Sequence, residues 1–331
     1  MKAGFASFDH AVPAARPAAP PRRREAAAPA LRREGRAAPV EAASPAAGHG
    51  AMRGIALIVG STLFFSGADV IAKALTATLP PAEVAWLRYL TFALIVVPLL
   101  FVRGGPGLSA RRPSLQILRG LGMVGSALFF TAGLRYLPVA DSTAIYFVSP
   151  ILITALSIPF LGETVGWRRW AAALVGLLGV LVVIRPGTSA FEMASLFPLA
   201  GATCWAAASI VTRKTSGTDR PITTMGYSAL VGLAATTAML AFDFVVPTGP
   251  QIALGLAFGA LSTLGHWLVV LAYRHASASL IAPYGYAQLI WAGVLGFLVF
   301  GTLPDAVTIA GAAIIAASGL YTACRERARA A

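Results

Sequence analysis

The chain has 331 residues, 57% of them apolar and 12% charged, a balance that excludes an ordinary soluble domain. Its formal charge of +13 is spread over a tail and short loops between apolar stretches, which excludes a continuous nucleic-acid-binding face. Two cysteines, Cys204 inside one apolar stretch and Cys324 at the end of another, suggest neither a disulfide framework nor a metal site, and no cofactor is expected.

Residues 1–52 are rich in Ala, Pro and Arg and poor in bulky apolar side chains. Such a segment buries too little surface to offset its ordering entropy, so a disordered tail is expected. It lacks the apolar core of a secretory signal, and Glu25, Glu34 and Glu41 count against an organelle transit peptide. Met52, directly before the first apolar stretch, is a second candidate for the start of translation.

A bilayer core of about 30 Å takes about twenty apolar residues of helix. On that scale ten spans are predicted, near 54–75, 83–102, 114–135, 139–161, 168–185, 195–213, 222–246, 251–273, 278–300 and 305–323. Pro80-Pro81, Gly104-Gly105-Pro106, Pro186-Gly187 and Thr248-Gly249-Pro250 punctuate them, and the break from Arg135 to Ala140 is short enough for a tight helical hairpin. The predicted fold class is therefore an all-α integral membrane protein with ten transmembrane helices. With the N-terminus inside, Arg103, Arg111, Arg112, Arg119, Arg168, Arg169, Arg213, Lys214, Arg220, Arg274 and the C-terminal arginines fall on the cytoplasmic side. The opposite side keeps only Lys73, Arg88, Arg135 and Arg185. Ten crossings place both termini in the cytoplasm and the chain in the cell (inner) membrane.

The two halves can be laid over one another. A shift of 139 carries Arg135 to Arg274, Ile151 to Ile290, Leu156 to Leu295 and Gly162 to Gly301. A shift of 140 puts Lys73 on Arg213 and Phe65 on Trp205. An odd number of spans per half sets the halves in opposite orientation, giving inverted five-helix repeats over 53–190 and 191–325 and a short basic tail at 326–331. Inverted-repeat transporters hold their substrate near the midplane, between the repeats.

The stretches Arg135-Tyr136-Leu137-Pro138, Ser149-Pro150 and Leu161-Gly162-Glu163 resemble the drug/metabolite transporter superfamily, EamA-type. So does Ala272-Tyr273-Arg274-His275-Ala276-Ser277-Ala278 in the second half. The resemblance covers residues 52 to about 325. It implies a ten-helix secondary transporter of the cytoplasmic membrane with a central cavity between repeats. Thr302 stands where the first half has Glu163, which speaks against a symmetric role for that acid. Some members resemble importers of riboflavin or S-adenosylmethionine and others exporters of amino acids; the motifs here belong to the scaffold.

Ionisable groups inside a membrane are costly and therefore candidates for function. Asp69 lies about 10 Å from the outer end of the first span, and Arg88 about 7 Å below the outer end of the second, at 1.5 Å per residue. Lys73 is one turn beyond Asp69 on the same face. Asp69 can pair with Arg88 or Lys73, either as a coupling carboxylate or as a structural lock. In the fourth span Ser142, Tyr146 and Ser149 share a helical face, as Tyr284, Gln288 and Trp291 do in the ninth. Ser149 falls on Gln288 under the shift of 139, and Pro150 and Pro283 free backbone carbonyls in the same two spans. Interhelical hydrogen bonding and aromatic packing are the structural alternative. Trp205 and Trp267 lie inside spans six and eight, as an aromatic wall or as packing, and His266 beside Trp267 titrates near neutral pH in water. Tyr286 is a lesser candidate, and Arg135 is expected to pair with Asp141 across the hairpin.

Ala172, Gly176 and Gly179 on span five and Gly255 and Gly259 on span eight form small-residue packing faces. Spans five and ten are expected to scaffold the bundle or to form a homodimer contact. No HExxH or GxSxG motif supports an intramembrane enzyme, and no ring of like charges supports a channel. Spans four and nine hold no Lys or Arg for a phosphate. The function expected is a secondary transporter of a small neutral, zwitterionic or cationic metabolite such as an amino acid, vitamin or nucleoside-like compound, working by alternating access. The alternative is an exporter of drugs or toxic metabolites. Its partners are the substrate and the lipid bilayer, with no nucleic acid.

Overall fold

The computed structural model describes residues 45–102, 107–162, 165–186, 192–215, 219–275 and 281–330, with side chains from Met52 onward except 169, 273, 282, 283, 323 and 325–330. The tail through residue 44, Arg103, the Gly104-Gly105-Pro106 break, Gly187, Glu163 and the Ala276-Ser277-Ala278 stretch lie outside the described residues.

Among the described residues every regular element is helical. In chain order these are α1 (Pro45–Thr76), α2 (Pro81–Phe101), α3 (Pro113–Tyr136), α4 (Val139–Tyr146), α5 (Ser149–Leu161) and α6 (Trp167–Ile184). They continue with α7 (Leu196–Thr215), α8 (Pro221–Met239), α9 (Gly249–His275), α10 (Ala287–Phe300) and α11 (Ala306–Ala330). Short 3₁₀ turns at Met193–Ser195 and Ala282–Tyr286 lead into α7 and α10. Seven helical stretches, α4 and α5 counted as one, are long and apolar enough to cross a membrane, and Trp170–Ile184, Tyr284–Phe300 and Ala306–Thr322 are shorter apolar helices.

The surface is apolar, unlike that of a water-soluble protein, while the interior combines apolar clusters with buried hydroxyls. Leu94, Phe101, Phe160, Leu178, Ile290 and Leu298 stand exposed, while Ser61, Ser66, Thr91, Ser157 and Thr236 are buried. Several buried hydroxyls are satisfied locally: Ser61 donates to the Ile58 carbonyl at 2.7 Å, Thr91 to Leu87 at 3.0 Å and Thr236 to Gly232 at 2.7 Å. A helix that spends its buried hydroxyls on its own backbone leaves those polar groups satisfied inside the bundle.

Prolines start the helices and glycines stop them. Pro81, Pro113 and Pro221 occupy first turns, where a missing N–H costs nothing. Gly162 after α5 and Gly301 after α10 both close their helices at φ 69°, a left-handed conformation that favours glycine. Their amides reach Ile158 and Phe297 at 3.0 and 2.8 Å, positions related by the same shift that relates the glycines.

Packing between the halves is paired in the same way. Helix α1 lies against α9, as α3 lies against α7; α1 meets α10, as α7 meets α5; α3 meets α8, as α9 meets α2. The remaining large contacts, α2 with α8 and α6 with α11, are their own mates. Close approach at the two mated crossings uses matched glycines. A Cβ on Gly120 of α3 would lie 2.8 Å from the Val231 Cβ of α8, and one on Gly259 of α9 would lie 2.9 Å from the Arg88 carbonyl of α2 and collide with Thr91. The small face of α6 is used inside the chain, since a Cβ on Gly179 would lie 2.9 Å from the Gly311 carbonyl of α11.

Polar ties define the two ends of the bundle. At one, Lys73 donates to the Leu134 and Leu137 carbonyls at 3.0 and 2.7 Å, and Arg185 pairs with Asp305. At the other, Gln116 donates to Asp219 at 2.7 Å and Arg119 joins Thr212 on α7 to Ser228 on α8. The segment expected to be helical to residue 246 ends at Met239, because the Glu83 carboxylate accepts the Val245 amide at 3.1 Å and draws residues 240–248 across the start of α2.

Candidate functional site

Two breaks in the helices shape the centre of the bundle. Helix α4 stops at Tyr146, the Val148 amide shifts to the Ile145 carbonyl three residues back, and α5 restarts at Ser149 with Pro150 in its first turn. Proline has no N–H to return to the carbonyl one turn earlier, so the ladder is interrupted where the chain passes mid-depth. In the second half residues 282–286 wind as a 3₁₀ turn before α10 begins. Three residues per turn, against 3.6 in an α-helix, rotates every side chain before the break relative to those after it.

The breaks open onto a cavity of about 280 Å³ bounded by α1, α2, α3, the α4–α5 break, α7, α9 and α10. Asp69 accepts a hydrogen bond from Gln288 Nε2 at 3.3 Å, and the Gln288 carbonyl accepts one from Ser66 at 3.3 Å, so α1 and α10 meet through polar groups. Tyr146 and Ser126 share a hydroxyl–hydroxyl bond of 2.7 Å, and Phe130 meets the Tyr146 ring edge-on with centroids 5.0 Å apart. Phe65 and Trp205, related by the shift of 140, both line the cavity. His266 Nδ1 lies 2.8 Å from the Ser262 carbonyl. A carbonyl can only accept, so Nδ1 carries the hydrogen and Nε2 of the neutral ring is left as an acceptor. Arg88 lies over the rings of Tyr89 and Phe258, 5.9 and 5.6 Å from their centroids.

Of the residues singled out in the sequence, Asp69, Arg88, Tyr146, Ser149, Trp205, His266 and Gln288 line this one cavity. Others do not. Ser142 is buried one turn before Tyr146 on α4, with its hydroxyl unpartnered among the described residues. Tyr284 faces a separate apolar groove between α10 and α11, and Trp291 keeps its indole N–H buried without a partner among the described residues. The face drawn from Tyr284 to Gln288 assumed a continuous α-helix, and the 3₁₀ turn that holds Tyr284 removes it, whereas Gln288 and Trp291 lie together in α10. Trp267 is exposed on the outer surface of α9.

Two expected ion pairs are replaced by other partners. Lys73 turns away from Asp69 to the carbonyls that end α3 and lies over the Phe300 ring, 5.7 Å from its centroid. A long cationic chain near a helix end extends toward that end rather than back into the bundle. No ion pair joins Asp69 to Arg88 among the described residues, and Asp69 takes Gln288 instead. Arg135 is exposed and leaves Asp141, whose Oδ1 is buried without a partner among the described residues.

Sequence reasoning missed Phe65, Met123, Ser126, Phe130, Thr143 and Ser262 as lining residues. One signal was present: Phe65 already matched Trp205, and Met123 matches Ser262 under the shift of 139. Tyr286 packs on Phe147 at 5.0 Å and lines a neighbouring cavity of about 340 Å³ that shares Phe147 and Pro150 with the central one.

The model of the EamA-like transporter family matches residues 52–185 and again 193–323. An S-adenosylmethionine uptake transporter of Rickettsia felis is 29% identical over 276 residues, 83% of this chain and 94% of its own length. A riboflavin transporter of Rhizobium johnstonii is 31% identical over 80% of this chain and 89% of its own, and a pseudopaline exporter of Pseudomonas aeruginosa is 30% identical over 79% and 93%. A protein of known crystal structure superposes with a TM-score of 0.59 over 82% of this chain and 98% of its own, at 21% identity, which bears on the fold alone.

Proposed function

This chain belongs to the EamA-like transporter family, whose model covers both of its halves, and we propose that it is a secondary transporter whose substrate occupies the cavity around Asp69 and Gln288. It is a multi-pass membrane transporter of small metabolites rather than an enzyme. The finer reading has ten crossings, with the three shorter apolar helices completing two inverted five-helix repeats over 53–190 and 191–325. The basic residues Arg111, Arg112, Arg119, Arg168, Arg213, Lys214, Arg220 and Arg274 put the Arg119 end in the cytoplasm, in the cell membrane.

One observation carries the proposal: a carboxylate held by an amide, facing a wall of Phe65, Phe130, Tyr146 and Trp205, in a cavity at the junction of the two halves. Asp69 takes a cationic or N–H-bearing group, Gln288 orients it, and the aromatic wall takes a flat or apolar body. Rocking of one repeat against the other about this fixed site gives alternating access.

The test is a thermal-unfolding screen of purified protein against amino acids, nucleosides, riboflavin and S-adenosylmethionine, followed by flux in proteoliposomes. A ligand at a hundred times its Kd stabilises the folded state by about 2.7 kcal/mol. Saturable flux of the stabilising compound, weakened by Asp69→Asn, supports the reading; flux unaffected by Asp69→Asn and by Gln288→Ala sinks it. Right-side-out and inside-out vesicles separate uptake from export.

A further inference from the structure

Beside the central cavity lies a second chamber of about 190 Å³, between α2, α3, α8 and α9. The two share Arg88, Met123, Ser262 and His266, so Arg88 stands at the passage from one to the other. The chamber lining contains two guanidinium groups, Arg88 and Arg119, and no Asp or Glu. It is the mated crossing of the fold, where α3 meets α8 and α9 meets α2.

The two arginines are held differently. Arg119 is oriented by three bonds: Nε donates to Thr212 at 2.7 Å, and Nη1 donates to Ser228 and, at 3.4 Å, to the Thr224 carbonyl. Its Nη2 has no partner among the described residues. Arg88 makes no hydrogen bond and no ion pair among the described residues and rests on the Tyr89 and Phe258 rings. Arg88 is about 10 Å in from one end of α2, and Arg119 about 9 Å in from the opposite end of α3, so they mark two depths with the chamber between.

Two like charges in a low-dielectric chamber whose own lining holds no acid are a net cost to the fold; the carboxylate that shares the central cavity with Arg88, Asp69, is bonded to Gln288. Three neutral acceptors fix where Arg119 points without neutralising it, and the aromatic faces leave the Arg88 fork free. A planar fork with open N–H groups matches an oxyanion bidentately. We infer that this chamber is a subsite for an oxyanion group of the substrate, a carboxylate or a phosphate, received by Arg88 and Arg119. The inference rests on the central-cavity reading and extends it. A substrate with a cationic group at Asp69 and an acid group in the chamber is bipolar, and the spacing of the two cavities selects its length. Spans four and nine hold no cation for such a group; the second and third spans supply both.

The test uses two matched pairs of probes on the purified full chain. S-adenosylmethionine and its decarboxylated form differ in one carboxylate, and riboflavin 5′-phosphate and riboflavin differ in one phosphate. The expected result is that the acid-bearing member of one pair binds about tenfold or more tightly than its partner. Which pair it is identifies the oxyanion. Arg88→Gln erases the preference, Arg119→Gln weakens it, and Arg88→Lys restores part of it. Should these variants fail to fold, the preference in the unmodified chain still decides. Equal binding within both pairs, weakened by Asp69→Asn, overturns the oxyanion subsite and leaves the central site standing. Absence of binding by all four probes overturns both readings.

Discussion

The two halves of this transporter share a frame and divide the chemistry. Pro81 and Pro221 start one corresponding pair of helices, Gly162 and Gly301 end another, and Gly120 and Gly259 permit corresponding crossings. The aromatic pair Phe65 and Trp205 matches, but the charged side chains facing the cavities do not. Asp69, Arg88 and Arg119 come from the first half, whereas Ser262, His266 and Gln288 come from the second. Backbone equality serves a machine with two interchangeable conformations; unequal charge gives the substrate one orientation within it. A symmetric pair of charges would let a bipolar molecule bind in either sense.

The largest expected effect comes from breaking the frame. Gly120→Leu and Gly259→Leu each force a side chain into a helix crossing that has no room for a Cβ. Overpacking of this kind costs about 3 kcal/mol. Both variants should lose folded yield and melt lower in detergent by similar amounts. A chain that tolerates one and not the other has unequal halves at the level of the backbone, contrary to the paired packing.

The next effect separates the halves by charge. Asp69→Asn removes a charged partner and is expected to weaken substrate binding by about 2 kcal/mol, or about thirtyfold. Gln288→Ala and Ser149→Ala remove neutral partners and should cost about 1 kcal/mol each, about fivefold. Transport affinities measured side by side decide the matter. Equal losses for Asp69→Asn and Gln288→Ala would mean that charge division between the halves does not govern binding.

The same division explains what could be read from the sequence. Spans, breaks and the repeat follow from hydropathy and from Pro and Gly, which act locally. The closing glycines at 162 and 301 were legible because a left-handed cap needs glycine. Asp69, Tyr146, Ser149 and Gln288 were legible because polar groups at mid-depth are costly there. Tyr284 does not join Gln288 at the cavity because its helix changes winding across 282–286, while Ser142 and Trp291 lie in the same helices as Tyr146 and Gln288 and are turned into packing instead. Periodicity carries no trace of such a rotation. Lys73 was misassigned because its real partners are backbone carbonyls of α3, which no sequence pattern marks. The oxyanion chamber was hidden because Arg88 and Arg119 come from different helices and meet only through the crossing with α8 and α9.

The smallest expected effect lies outside the membrane, where each end carries a carboxylate. Asp305, paired with Arg185 and accepting the Thr308 amide at 2.8 Å, is lowered from an ordinary 3.8 to about 2. Asp219 is also lowered, first by the Arg111 amide and then by Gln116. Both stay ionised in the folded chain where the unfolded chain has begun to take up protons, so acid favours unfolding. The stabilisation is complete above the ordinary carboxylate range and fades as pH falls; for Asp305 it is gone below about 2. Solvent screens both groups, which keeps the effect small. Melting temperatures in detergent from pH 6 to pH 2 should fall more steeply below pH 4 for the unmodified chain than for Asp305→Asn. Asp305 ties the start of α11 to the end of α6, and Asp219 ties α3 to the approach to α8. Equal flattening by Asp305→Asn and Asp219→Asn would mean both ends are held alike, as the frame is. Flattening by one alone would carry the inequality of the halves out to the ends, and an unaltered profile would remove Asp305 from the ties altogether.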